Sequence, residues 1–197
     1  MDRETKRRQT KNLLLDTTKA LVEEKGCNTL TLNNIIERSG LSKGAIYHYV
    51  KSKDELLALV LKERMEEISD RFFAEVNKGK KEFEGPLKEI AKKLPSLQDP
   101  QDVTNQIFLY LLTNNDQPAV REIIQSFYQQ AVQMSKHWIT NGQDSGVIPS
   151  SVNADKTAEL FTLISYGFRV RSSTLNDSYA FNIDDFTKLM GELLQPQ

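Results

Sequence analysis

Read for the spacing of its apolar residues, the chain is a succession of helical patterns. Leu14, Thr17, Thr18, Leu21 and Val22 follow one helical face and predict a helix from about Thr10 to Lys25. Gly26 then stops it, with a basic residue in the last turn as the helix dipole favours. The polar, basic residues 1–11 ahead of it read as a frayed end. A second helix starts near Thr31, buries Leu32, Ile35 and Ile36, and ends before Gly40. Leu41 should plug the turn, and Ser42 caps a very short helix through about Tyr49. That helix points Ile46, with Tyr49 or Val50, inward and Lys43, Gly44, Tyr47 and His48 outward. Ser52-Lys53-Asp54-Glu55 is a capping box that opens a long helix to about Val76.

The later patterns are longer and more apolar. After a charged break at 77–85, Pro86 opens a short helix that stops before Pro95. A helix over about 101–113 carries Val103, Ile107, Phe108, Leu111 and Leu112. The longest C-terminal pattern, from Pro118 to about Asn141, has an apolar row ending at Trp138. From about 153 to 174 the chain is apolar on nearly every side, so that helix should be covered from two directions. Asn182 caps a last helix with Phe186, Leu189, Met190, Leu193 and Leu194 on one face. With no strand-length alternation, repeat or low-complexity segment, the expected fold is all-α, of about nine helices.

Composition narrows the class. The chain has 197 residues, 39% hydrophobic and 27% charged, as a globular protein of one or two small domains would. No apolar run approaches the roughly 20 residues of a membrane span, and the N-terminus lacks the apolar core of a signal peptide. Cys27 is the single cysteine, which excludes an internal disulfide and agrees with a reducing cytoplasm. The net charge of −1 is unevenly spread. Residues 1–64 hold 13 Lys+Arg against 9 Asp+Glu, a net of +4, and residues 65–197 carry −5. A basic first third on an acidic remainder is the electrostatic footprint of a nucleic-acid-binding head.

The stretch from Thr31 to Leu56 gives that head a shape: two short helices flank Gly40, and the second is small enough to lie in a DNA major groove. Here the sequence resembles the TetR family of bacterial transcriptional regulators. The residues that carry the resemblance are Thr31, Ile35, Gly40, Leu41-Ser42-Lys43-Gly44, Ile46-Tyr47-His48-Tyr49 and Lys51-Ser52-Lys53, with the preceding helix and Gly26. Cys27, Val22 and Ile36 depart from residues common in that family, all at core-type positions. The resemblance covers about the first 60 residues. It implies a homodimer with a helix-turn-helix head at 1–52 (motif about 31–50) and a helical ligand-binding and dimerisation part at 53–197. The last two helices of such proteins usually pair with their twins as a four-helix bundle.

The chemistry of the head follows from residue type. Ser42, Gly44 and Ala45 are small, so backbone can approach DNA closely, and free N–H groups at a helix start favour a phosphate. Lys43 can reach a guanine edge or a phosphate; Tyr47 and His48 can touch base edges, thymine methyls or the sugar-phosphate chain. Thr31 and Lys53 are expected to clamp phosphates and set register, and Asn33 adds a contact. Arg3, Lys6, Arg7, Arg8 and Lys11 can reach phosphates too.

One short helix reads too few base pairs for specificity, so a two-fold dimer on a pseudo-palindrome is expected. Phe168, Phe186, Leu189 and Leu193 are its candidate interface. The candidate pocket for a small hydrophobic effector is lined by Phe72, Phe108, Leu111, Phe127, Tyr128, Trp138, Phe161 and Tyr166. Arg169 and Arg171 stand out in an apolar helix and could pair with acids, line a dimer seam or meet an anion. The function expected is a homodimeric cytoplasmic repressor of a double-stranded DNA operator, released by that effector, with no cofactor or metal. The alternatives are an activator, or an all-helical interaction module with a silent helix-turn-helix. No glycine-rich phosphate loop, His-Glu-x-x-His or cysteine pair suggests an enzyme, and His48 and His137 lie far apart. Asn176-Asp177-Ser178 is a glycosylation pattern without meaning in a bacterial cytoplasm.

Overall fold

Local signals place the helices where the apolar spacing puts them. The computed structural model describes residues 2–79, 82–174 and 179–195, so Asn176-Asp177-Ser178 lies outside the described residues. It contains α1 (Arg3–Thr29), α2 (Leu32–Ser39), α3 (Lys43–Tyr47), α4 (Lys53–Val76), α5 (Glu84–Ala91), α6 (Val103–Thr113), α7 (Pro118–Asp144), α8 (Ala154–Arg171) and α9 (Ile183–Leu194). Among the described residues there is no strand. A 3-10 turn at Leu94–Gln98, with Pro95 in its first turn, continues the chain where Pro95 reads as a stop. Among the described residues no helix is long and apolar enough to cross a membrane.

The chain forms two compact units. The first takes in residues up to Arg64 together with Gln101–Gln125: α1 to α3, the first half of α4, α6 and the start of α7. α1 packs on both α2 and α6. Leu14, Leu15, Val22, Ile35, Ile46, Leu56, Leu57, Ile107 and Phe108 make its buried core. Thr18, also fully buried, donates its hydroxyl to the Leu14 carbonyl at 2.7 Å, so its own polar group is satisfied.

α1 differs from its sequence-based outline at both ends. It begins at Arg3, because Glu4, Lys6, Arg7, Arg8 and Gln9 are good helix formers even without an apolar stripe. At the other end Gly26 takes φ 73°, ψ 165°, a break that only glycine adopts easily, and the backbone resumes helically for Cys27–Thr29.

The second unit comprises Met65–Pro100 and Ser126–Gln197: the rest of α4 and α7, with α5, the 3-10 turn, α8 and α9. Its core joins Leu94, Leu97, Ile139, Ile148, Val152, Ala158, Phe161, Phe168, Ile183, Phe186, Met190 and Leu194. Beyond α7 the turn is tightly held: the Val147 and Ile148 N–H groups both donate to the Gly142 carbonyl, at 2.9 and 3.1 Å. Asn182 caps α9 reciprocally with Asp185, as its position suggests.

Two sets of expectations change here. Phe168 and Phe186, expected at a dimer seam, lie inside this unit's own core at 3% and 1% exposure, their rings 5.7 Å apart. Leu189 and Leu193 are half-buried. The apolar face of α8 that remains outside is a different one: Leu160, Leu163 and Val170, exposed in line with Gly167. Phe186→Ala should therefore lower the folding stability of the chain itself, by about 3–5 kcal/mol, read as a shift of the denaturant midpoint.

The eight candidate pocket residues also divide. Phe108 and Leu111 are buried in the first unit. The other six belong to the second, where Phe72 stacks on Trp138 at 5.1 Å and Phe127 on Tyr166 at 6.0 Å. Tyr128 meets Tyr166 edge-on and donates to Glu159 at 3.2 Å, and Phe161 packs against Phe186. Burial pushes the Tyr166 phenol well above its ordinary range. Arg171 has an aromatic setting that its neighbours in sequence did not suggest. Its guanidinium lies between the rings of Phe168 and Tyr179, at 4.5 and 4.4 Å, and donates to the Phe181 carbonyl at 2.8 Å.

Candidate nucleic-acid interface

Short-range hydrogen bonds build the helix pair. Thr31 caps α2: its hydroxyl accepts from the Asn34 N–H at 3.2 Å, and the Asn34 side chain accepts from the Thr31 N–H at 3.2 Å. Gly40 ends the helix at φ 67°, with its N–H on the Ile36 carbonyl. Two residues later Ser42 caps α3, accepting from the Ala45 N–H at 3.2 Å. Ile46 is fully buried and anchors this five-residue helix to the core, with Val50 beside it. Ser52 then opens α4, accepting from the Glu55 N–H at 3.1 Å, while the Glu55 carboxylate accepts from the Lys51 N–H at 2.6 Å.

This mounting leaves one face of α3 outward. Lys43, Gly44, Tyr47 and His48 are exposed, Tyr47 by 45%. The Lys43 ammonium stands 5.6 Å over the Tyr47 ring, one helical turn away, so these two candidate residues are already neighbours. Thr31, Asn33 and Ser42 are exposed as well; Ala45 is half-buried. The Ala45 N–H is engaged by Ser42, so among the first N–H groups of α3 it is not open to a phosphate as the sequence suggests.

Lys53 is placed otherwise than expected. Its ammonium turns inward, donating to the Cys27 carbonyl at 3.0 Å and lying 4.6 Å over the Tyr110 ring of α6. The break at Gly26 accounts for this, because it takes the Cys27 carbonyl out of the regular ladder of α1 and leaves it an acceptor to fill. Tyr110, 57 residues beyond Lys53 in sequence, carries no local signal of the contact. Burial pushes the Cys27 thiol up to about 11, against the opposing charge of Lys53.

With this geometry fixed, the profile of bacterial regulatory proteins of the tetR family matches residues 14–60, from the buried Leu14 to the buried Val60. This stretch, the helix-turn-helix and the helices on either side of it, is that of a tetR-type DNA-binding head. It is similar to the HTH-type transcriptional regulator PksA of Bacillus subtilis (strain 168), with 35% identity over 71 residues, 36% of this chain. That match spans only 33% of PksA's length. Solved structures extend the likeness of fold to nearly the whole chain. A TetR transcription regulator from Haloarcula marismortui superimposes with a TM-score of 0.65 at 22% identity, covering 95% of this chain and 97% of that one. GusR of Salmonella enterica does so with a TM-score of 0.62 at 19% identity, covering 94% and 95%. Among the described residues, no group of three or more His, Cys, Asp and Glu side chains is arranged to hold a metal ion.

Proposed function

We propose that the protein is a DNA-binding transcriptional regulator that reads its operator with α3. The observation that carries this is the outward row Lys43, Tyr47 and His48 on a helix fixed from behind by Ile46 and capped by Ser42. Gly44 supports it independently. A Cβ there would meet nothing within 4 Å and the backbone is helical, so nothing within the fold calls for glycine. A duplex approaching that turn does. Lys43, Tyr47 and His48 touch base edges, and Thr31, Asn33 and Ser42 hold the sugar-phosphate chain on the near side. Lys53 acts by holding α4 to the Cys27 carbonyl and Tyr110, so its contribution to DNA binding is to position the head.

The regulator works as a homodimer on a pseudo-palindrome, with residues 1–52 as the DNA head and 53–197 for dimerisation and sensing. Support for the dimer comes from Leu160, Leu163 and Val170, an exposed apolar face on a helix whose opposite face is core. A small hydrophobic effector in the aromatic cluster of the second unit releases the DNA. Among the described residues the Trp138 Nε1 there is buried without a hydrogen-bond partner and offers a donor to an acceptor group on that effector. Repression is the default outcome, since blocking a promoter needs only occupancy. Cytoplasmic residence follows from the same role.

Selection of duplexes from a random-sequence pool by the full-length protein tests the proposal. One recovered palindromic motif, bound with an affinity that falls steeply with salt, is the expected result. Recovery of no motif and no salt-dependent binding would leave the helix-turn-helix silent.

A further inference from the structure

The basic N-terminal run is a helix fastened to the reading helix. The Tyr49 hydroxyl donates to the Arg7 carbonyl at 3.0 Å, across 42 positions of sequence. The same ring stands edge-on to His48 at 5.4 Å. One side chain therefore touches the end of the reading face and holds the second turn of α1. Arg3, Arg7 and Lys11 follow one another at i, i+4 and i+8, in a row that leads to the fully buried Leu14. The row is apolar where it meets the core and cationic where the core stops.

Three other cations of the first unit are already engaged. Lys19 is paired with Glu63 at 2.7 Å and with Asp16 at 3.0 Å, and Arg38 with Glu24 at 2.7 Å. Lys53 is turned onto the Cys27 carbonyl. Among the described residues the side chains of Arg3, Arg7 and Lys11 enter no ion pair. An unpaired cationic row beside a DNA-reading face is matched by a row of anions, which a duplex backbone supplies and a small anion does not.

We infer that the first turns of α1 form a second DNA-contacting element, with Tyr49 as its positioning residue. Arg3, Arg7 and Lys11 hold backbone phosphates of the duplex flanking the segment under α3. The inference rests on the DNA-binding reading above and adds a contact that sets affinity and salt dependence without reading sequence.

The test uses full-length protein and the duplex it selects from the random pool, with log Kd measured against log salt. Each phosphate contact contributes about 0.9 to that slope. R3Q/R7Q, which keeps good helix formers, should make the slope shallower by about 1.8 per protomer and leave the preference for the selected duplex over a scrambled one unchanged. Y49F keeps every charge, yet should also flatten the slope and lose backbone protection only at the outer edges of the footprint. An unchanged slope in R3Q/R7Q overturns the inference while wild-type binding keeps the DNA reading intact, and an unchanged slope in Y49F overturns the role of Tyr49. A wild-type protein that binds no duplex overturns both together.

Discussion

Leu160→Asp combined with Leu163→Asp is expected to convert the protein to a 22.5 kDa monomer in sedimentation and to lower operator affinity by at least about 100-fold. The two leucines are 39% and 54% exposed, one turn apart on α8, and Gly167 and Val170 extend the face. Leucines so exposed are individually ordinary; in a row on a helix whose other side is core they mark a seam. A carboxylate in the middle of such a seam has no partner and meets its own symmetry mate, so burying it costs several kcal/mol. The single chain should still fold, because neither side chain contributes to the core of Phe161, Phe168 and Phe186. Operator affinity falls because a lone head reads half a palindrome. An unchanged sedimenting mass in a protein that was dimeric before substitution would move the seam elsewhere.

Lys43→Ala and Tyr47→Ala are each expected to weaken operator binding by about 1–3 kcal/mol, roughly 5- to 150-fold, without changing the melting temperature. Both side chains are exposed while Ile46 beside them is buried, and their mutual contact, ammonium over ring at 5.6 Å, is exposed and weak. Loss at Lys43 should fall on one base pair or one phosphate, which substituted duplexes separate. A loss confined to one base pair marks an edge contact, and a uniform loss with a shallower salt slope marks a phosphate. Unchanged gel-shift affinity in both variants would remove α3 from the interface. Ile46→Ala is the contrast, since it empties a fully buried position and acts through folding.

The helix-turn-helix was legible in sequence because its boundaries are set within three or four residues. Thr31 with Asn34, Gly40, Ser42 with Ala45, and Ser52 with Glu55 are local devices, and each makes the hydrogen bond its residue type announces. Contacts between distant segments were not legible. The inward turn of Lys53 depends on a carbonyl released at Gly26 and on a ring in α6, neither of which spacing reveals. Which side of α8 faces its own core was not legible for another reason: when a helix is apolar all round, periodicity cannot say. The N-terminal turns of α1 lack an apolar stripe, so only helix propensity and the Tyr49 contact mark them as helix. The first unit's use of α6 was equally hidden, because α6 is written 50 residues after α4 begins.

That last feature bears on how such a head can be transplanted. Leu14, Leu15 and Val22 of α1 share their core with Ile107 and Phe108 of α6, so the first unit is closed by a segment that the chain supplies only after passing through α5. A hybrid regulator made by exchanging residues 1–64 alone would graft one side of a core onto a foreign α6 and inherit mismatched volumes there. An exchange that also carries 101–125 would move the core whole, and with it Tyr110 under Lys53.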